Sequence, residues 1–159
     1  MSIHELIDKF VHLLDERGSD FCRIESAPWI EVLETKLPRQ LPASFRSLVT
    51  RYTFPEFVIG GISFYENKGA DSPDELSGAI FKDRIMAGVM LKCGYLQFAR
   101  PESGSYDPIC FAARRQAKNR EFPIVRLDHE AILCRGQIRV VSTPAESFYR
   151  LVADFVDQA

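Results

Sequence analysis

From Tyr95 to Val141, four short runs rich in β-branched and aromatic residues follow one another: YLQFAR, YDPICFAA, FPIVRL and QIRVV. Turn-forming or charged segments, PESGS and RRQAKNRE among them, separate these runs. Parallel strands need a crossover of a dozen or more residues, and these links are shorter, so the region predicts antiparallel pairing. FVIGGISFY, earlier in the chain, adds two strands joined by a turn at Gly60-Gly61, or one strand with a bulge there.

Helical periodicity brackets these strands. Ser2 and Glu5 have the spacing of a capping box, and Ile3, Leu6, Ile7, Phe10, Val11 and Leu14 recur behind it, which predicts a helix over 3–16 that stops at Gly18. SAPWIEVLETKL predicts a second helix capped by Ser26, with Pro28 in its first turn and Trp29, Val32 and Leu33 facing inward. LPASFRSLVTRY predicts a third, entered through Pro42 and packing Phe45, Leu48, Val49 and Tyr52. NKGADSPDE reads as a polar loop closing on a Ser72–Glu75 capping box. Phe81, Ile85, Val89 and Cys93 then predict a helix over 80–92, ended by Gly94. At the far end, Thr143 as cap, Pro144 and Glu146 introduce a helix packing Phe148, Leu151, Val152, Phe155 and Val156. Helices, then strands, then a helix indicate an α+β fold.

With 159 residues and 46% apolar side chains, the chain is long enough for one core, so residues 1–159 are expected to form a single domain. Its twelve phenylalanines predict that aromatic packing dominates that core. A net charge of −2 gives no global pull toward DNA or an anionic membrane. The charge is uneven, however: residues 1–80 hold 8 basic against 13 acidic side chains, and the rest hold 12 against 9. MSIHELIDKF carries charges where a signal peptide would be apolar, and no uncharged apolar run approaches the length of a bilayer span. The expectation is a soluble, reduced, cytoplasmic protein.

Chemistry-bearing residues are sparse. Asp128-His129-Glu130 ends the apolar run FPIVRL and invites a metal or catalytic reading. Adjacent residues point in different directions, so the triplet does not close around one ion, and no HExxH or CxxC supplies further ligands. The favoured reading is structural: Asp128 caps a short helix over 129–133, with Glu130 in its first turn. Cys110 with His129 would make a nucleophile and base, but Cys110 lies between Ile109 and Phe111, which predicts a buried, inert thiol. Cys22, Cys93 and Cys134 also sit among apolar residues, as buried thiols do. Gly60-Gly61 lacks the spacing of a phosphate-binding loop. For binding, the candidate is RRQAKNR, where Arg114, Arg115, Lys118 and Arg120 are expected on a hairpin tip. The run holds no aromatic residue, which disfavours single-stranded nucleic acid.

Taken in order, several segments resemble the SUKH superfamily, which includes fungal cell-wall-assembly regulators and bacterial toxin-immunity proteins. LPASFRSLVTRY is similar to its front helix, GYLQFARPESGSYDPICF and PIVRLDHEAIL to its central strand block, and TPAESFYRLV to its terminal helix. The likeness spans residues 26–155, after an N-terminal helix and link over 1–25. Ala99 stands where many members have glycine and Ala112 where many have aspartate. The resemblance implies a mostly antiparallel sheet of about six strands flanked by helices, and protein binding in place of catalysis. It implies no catalytic residue, metal or cofactor, and makes Asp128-His129-Glu130 a fold signature. The partner implied is a toxin domain encoded nearby, neutralised by occlusion. The charge balance and the lack of a long apolar run separately disfavour nucleic acid and a membrane, and a nucleic-acid role for the basic run would show as salt-sensitive binding. A housekeeping scaffold of the same fold is the alternative, and a hydrolase or metal enzyme built on Asp128, His129 and Cys110 is the reading from another class.

Overall fold

The C-terminal two-thirds of the chain is organised by one antiparallel meander. In a computed structural model, the strands β3 (Phe57–Ile59), β4 (Ile62–Phe64), β5 (Tyr95–Pro101), β6 (Ile109–Ala112), β7 (Ile124–Leu127) and β8 (Val140–Ala145) pair in sequence order. Two short strands, β1 (Cys22–Arg23) and β2 (Tyr52–Thr53), form a separate antiparallel pair. The structure describes every residue except Asp71 and 115–117, and Lys118 in its backbone alone. Gly60 and Gly61, both at positive φ (57° and 75°), make the two-residue turn between β3 and β4. That conformation strains any residue with a Cβ.

One face of the sheet carries Phe57, Phe64, Leu96, Phe98, Phe111 and Ile124 into the main core. Against it lie α1 (Ile3–Glu16), α3 (Ala43–Arg51) and α7 (Phe148–Asp157). The expected aromatic packing is there. Phe98 and Phe111 stack with centroids 3.9 Å apart, and Phe45 of α3 tilts onto both at 5.4 and 5.1 Å. Phe148 of α7 meets Phe45 edge-on at 5.2 Å. The N-terminal helix is thus part of the same core as the region that carries the family likeness.

α1 starts and ends where its sequence predicts, with the reciprocal Ser2–Glu5 capping box formed. Other termini differ. α2 (Pro28–Thr35) begins after Ala27, and Ser26 caps nothing; its inward residues are Ile30 and Leu33, while Val32 is 55% exposed. Near the C-terminus, β8 extends through Ala145, so Thr143 lies in a strand and Ser147 caps α7 instead. Pairing of Ile124 with Ala145 holds Thr143 and Pro144 in the sheet. The Ser72–Glu75 capping box does not form either. Glu75 accepts a hydrogen bond from the Lys68 N–H at 2.7 Å, and its buried carboxyl is raised above the usual range by desolvation.

The second face of the sheet has a smaller cluster. Tyr95, Cys110, Val125 and Leu127 meet Met86 and Met90 of α5 (Arg84–Lys92) and Ile132 of α6 (His129–Arg135). α5 starts later than its periodicity predicts, because Asp83 caps it by accepting from the Ile85 and Met86 N–H groups at 3.0 Å. Its buried side is Met86, Ala87 and Met90, and Ile85 points outward. A four-residue turn, α4 (Leu76–Ala79), precedes it. Only part of this face is covered, which leaves the cleft described next. Among the described residues, no helix is long and apolar enough to cross a membrane.

Candidate functional site

The Asp128-His129-Glu130 triplet does begin a helix. Asp128 accepts from the Glu130 and Ala131 N–H groups at 3.0 and 3.4 Å, and Gly136 ends α6 in the left-handed region. Chain direction and cap together set the imidazole of His129 against Asp107, a residue of the β5–β6 connection. Asp107 Oδ1 lies 2.6 Å from His129 Nδ1 and also accepts from the His129 backbone N–H at 3.1 Å. Oδ2 accepts from Arg126 Nε at 2.8 Å, and a second Arg126 nitrogen reaches Ser105 Oγ at 3.3 Å. Burial alone would raise the Asp107 carboxyl, but the hydrogen bonds from His129 and Arg126 outweigh it and hold the group below its ordinary value. No local pattern marks Asp107 in the sequence, because only folding brings it within reach of His129.

Asp107, Asp128 and His129 each bring a potential ligand atom within 4.8 Å of the others. The oxygens that a cation would need are already used. Both Asp107 oxygens are engaged as described, Asp128 Oδ1 holds the helix start, and Asp128 Oδ2 faces Arg139 at 3.3 Å. Two guanidinium groups stand where a cation would have to compete, so the cluster fits a clasp on the β5–β6 connection better than a metal centre.

His129 also lines a cleft of ≈ 910 Å³ on the half-covered face of the sheet. Its floor is Tyr65 and Gln97, joined by a 2.9 Å hydrogen bond from Gln97 Nε2 to the Tyr65 hydroxyl. Burial raises the Tyr65 phenol above its usual pKa. Ile85, Met86 and Met90 form one wall, and Leu133 stands beside His129 on the other. At the rim are Lys82, Arg84, Arg100 and Tyr106, whose ring lies 5.9 Å from the imidazole and is 83% exposed. A bulge in β5 makes this lining possible. The register shift between Gln97 and Ala99 allows Phe98 and Ala99 both to enter the main core, and so returns Arg100 to the side of Gln97.

The other sequence candidates lie elsewhere. Cys110 is fully buried, its sulfur 3.8 Å from Met90 Sδ, and desolvation drives its thiol pKa far upward; it makes no hydrogen bond to His129. Cys22, Cys93 and Cys134 are exposed, contrary to their apolar sequence context. Of the basic run, Arg114 and Arg120 are exposed on the β6–β7 connection. Arg120 donates to Gln40 Oε1 at 3.1 Å, and Tyr95 beside Arg114 raises its guanidinium pKa further. Arg115 and the Lys118 side chain lie outside the described residues. Arg114 and Arg120 thus have different neighbours, Tyr95 and Gln40. No protein-family model and no curated protein matches this chain.

Proposed function

We propose that this chain is a non-catalytic protein-binding domain of the SUKH type, which neutralises a cognate toxin enzyme by docking on it and occluding its site. The observation that carries the docking is the cleft: apolar walls, an exposed aromatic at the rim and three basic side chains around it. Aromatic, methionine and arginine side chains are the types enriched where proteins bind one another. Ile85, Leu133 and Tyr106 are 65%, 44% and 83% exposed and line the same cleft, and large apolar side chains grouped in this way mark docking surfaces. A partner surface with an apolar projection and acidic surroundings complements this arrangement, and a stable complex of ordinary size would bury about 1,200–2,000 Å². The toxin assignment rests on the SUKH resemblance.

Two features support binding over catalysis. The Cys110 thiol is sealed in the core, and the Asp107 carboxylate is committed to Arg126 and His129. Co-expression with toxin domains encoded beside the gene tests the proposal. Protection of the host by the wild-type chain, and loss of protection in Ile85→Glu with the fold intact, is the expected result. Absence of protection by the wild-type chain against every neighbouring toxin overturns it.

A further inference from the structure

We propose that the cleft recognises an aromatic hydroxyl, the side chain of a tyrosine on the partner, through His129 Nε2. This rests on the reading of the cleft as a docking site. Nδ1 faces the Asp107 carboxylate and therefore carries a proton, which leaves Nε2 to meet an occupant. Among the described residues, no group hydrogen-bonds Nε2, although His129 lines the cleft. A neutral imidazole held this way presents a lone pair at Nε2, and a protonated one presents an N–H. A carboxylate satisfies only the second state and an ammonium only the first. A hydroxyl satisfies both, because it donates and accepts.

The rest of the lining selects the body of the occupant. Met86, Met90, Ile85 and Leu133 offer apolar contact to a flat ring, and methionine sulfur packs well at aromatic edges. On the floor, the Tyr65 oxygen accepts from Gln97, so its own O–H stays available as a second polar contact. Lys82, Arg84 and Arg100 outnumber Asp83 among the charged rim residues, and Asp83 is occupied in capping α5. Arg100 and Lys82 face the exposed carboxylates of Glu56 at 3.6 Å and Asp74 at 3.9 Å, while Arg84 has no carboxylate partner among the described residues. Acidic residues flanking the tyrosine would meet these cations. The volume of ≈ 910 Å³ exceeds one phenol ring and accommodates a short loop.

The test compares acetyl-Glu-Tyr-Glu amide with its phenylalanine analogue by NMR titration of the whole chain. The tyrosine peptide is expected to bind about 3- to 10-fold more tightly, the value of one hydrogen bond, with the preference lost in His129→Ala. In the wild-type chain the His129 Nε2 resonance should move with the tyrosine peptide and not with phenylalanine. That second readout holds even if the variant fails to fold. Equal affinities, a preference that survives H129A, or an unmoved Nε2 resonance overturns the proposal. A toxin complex insensitive to H129A would remove this inference and leave the docking function. Tyrosine selectivity that depends on His129, without any toxin partner, would do the reverse.

Discussion

Asp107 and His129, 22 positions apart in sequence, meet at 2.6 Å and fasten the β5–β6 connection to the start of α6. Arg126 completes the clasp from β7 at 2.8 Å. Removing the charge in Asp107→Asn is expected to cost about 2 kcal/mol, the order of a hydrogen-bonded charge lost from a partly buried site. Urea denaturation at neutral pH measures this.

The same residue sets a pH dependence. Its folded carboxyl titrates below the ordinary value of 3.8, so the unfolded chain takes up the proton first. The stabilisation is fully present above about pH 5 and is lost as pH falls through the folded value. Stability curves between pH 6 and pH 2.5 should fall more steeply for the wild type than for D107N. Parallel curves would contradict the assignment.

Glu121 supplies a cap that α3 lacks locally. Its carboxylate accepts from the Ser44 N–H and hydroxyl at 2.8 and 2.9 Å, across 77 positions of sequence, while Pro42 at the cap position has no side-chain acceptor to offer. Glu121→Ala should destabilise the fold by about 1–2 kcal/mol. Ser44 alone, changed to alanine, should cost less, because the backbone N–H remains paired.

At the C-terminal helix two residues compete for one role, and a pair of variants separates them. Ser147 Oγ accepts from the Arg150 N–H at 3.0 Å, whereas Thr143 is exposed within β8. Ser147→Ala should lower stability by about 1 kcal/mol and Thr143→Ala by less than about 0.5. The opposite order would restore Thr143 as the cap.

Thiol reactivity gives a direct reading of burial. Cys22, Cys93 and Cys134 should label in the native protein, and Cys110 only after unfolding. Mass spectrometry after brief treatment with an alkylating reagent counts the labelled sites. Native labelling of Cys110 would contradict both its burial and its raised pKa.

Where period and cap agreed, the elements were legible in advance. Ile3 to Leu14 repeat at helical spacing behind a complete capping box, and Asp128 precedes an apolar run, so neither needed a distant partner to be read. Inward faces were less legible. Val32 and Ile85 have the composition of core residues, but burial depends on which side a neighbouring element covers, and no neighbour is visible in a local window. Thr143 is as good a cap as Ser147 by sequence; pairing of β8 with β7 decides between them.

By itself the sequence determined the class of fold: short alternating runs with short links pair antiparallel, and amphipathic repeats at either end supply the helices to cover one face. Local hydrogen bonding and side-chain period are enough for that. The site was settled only in three dimensions. Asp107 reaches His129, Arg100 turns to the side of Gln97, and Glu121 reaches Ser44 because strand order, one bulge and one long connection bring them together. Such contacts follow from the packing of the whole sheet, and no short stretch of chain encodes them alone.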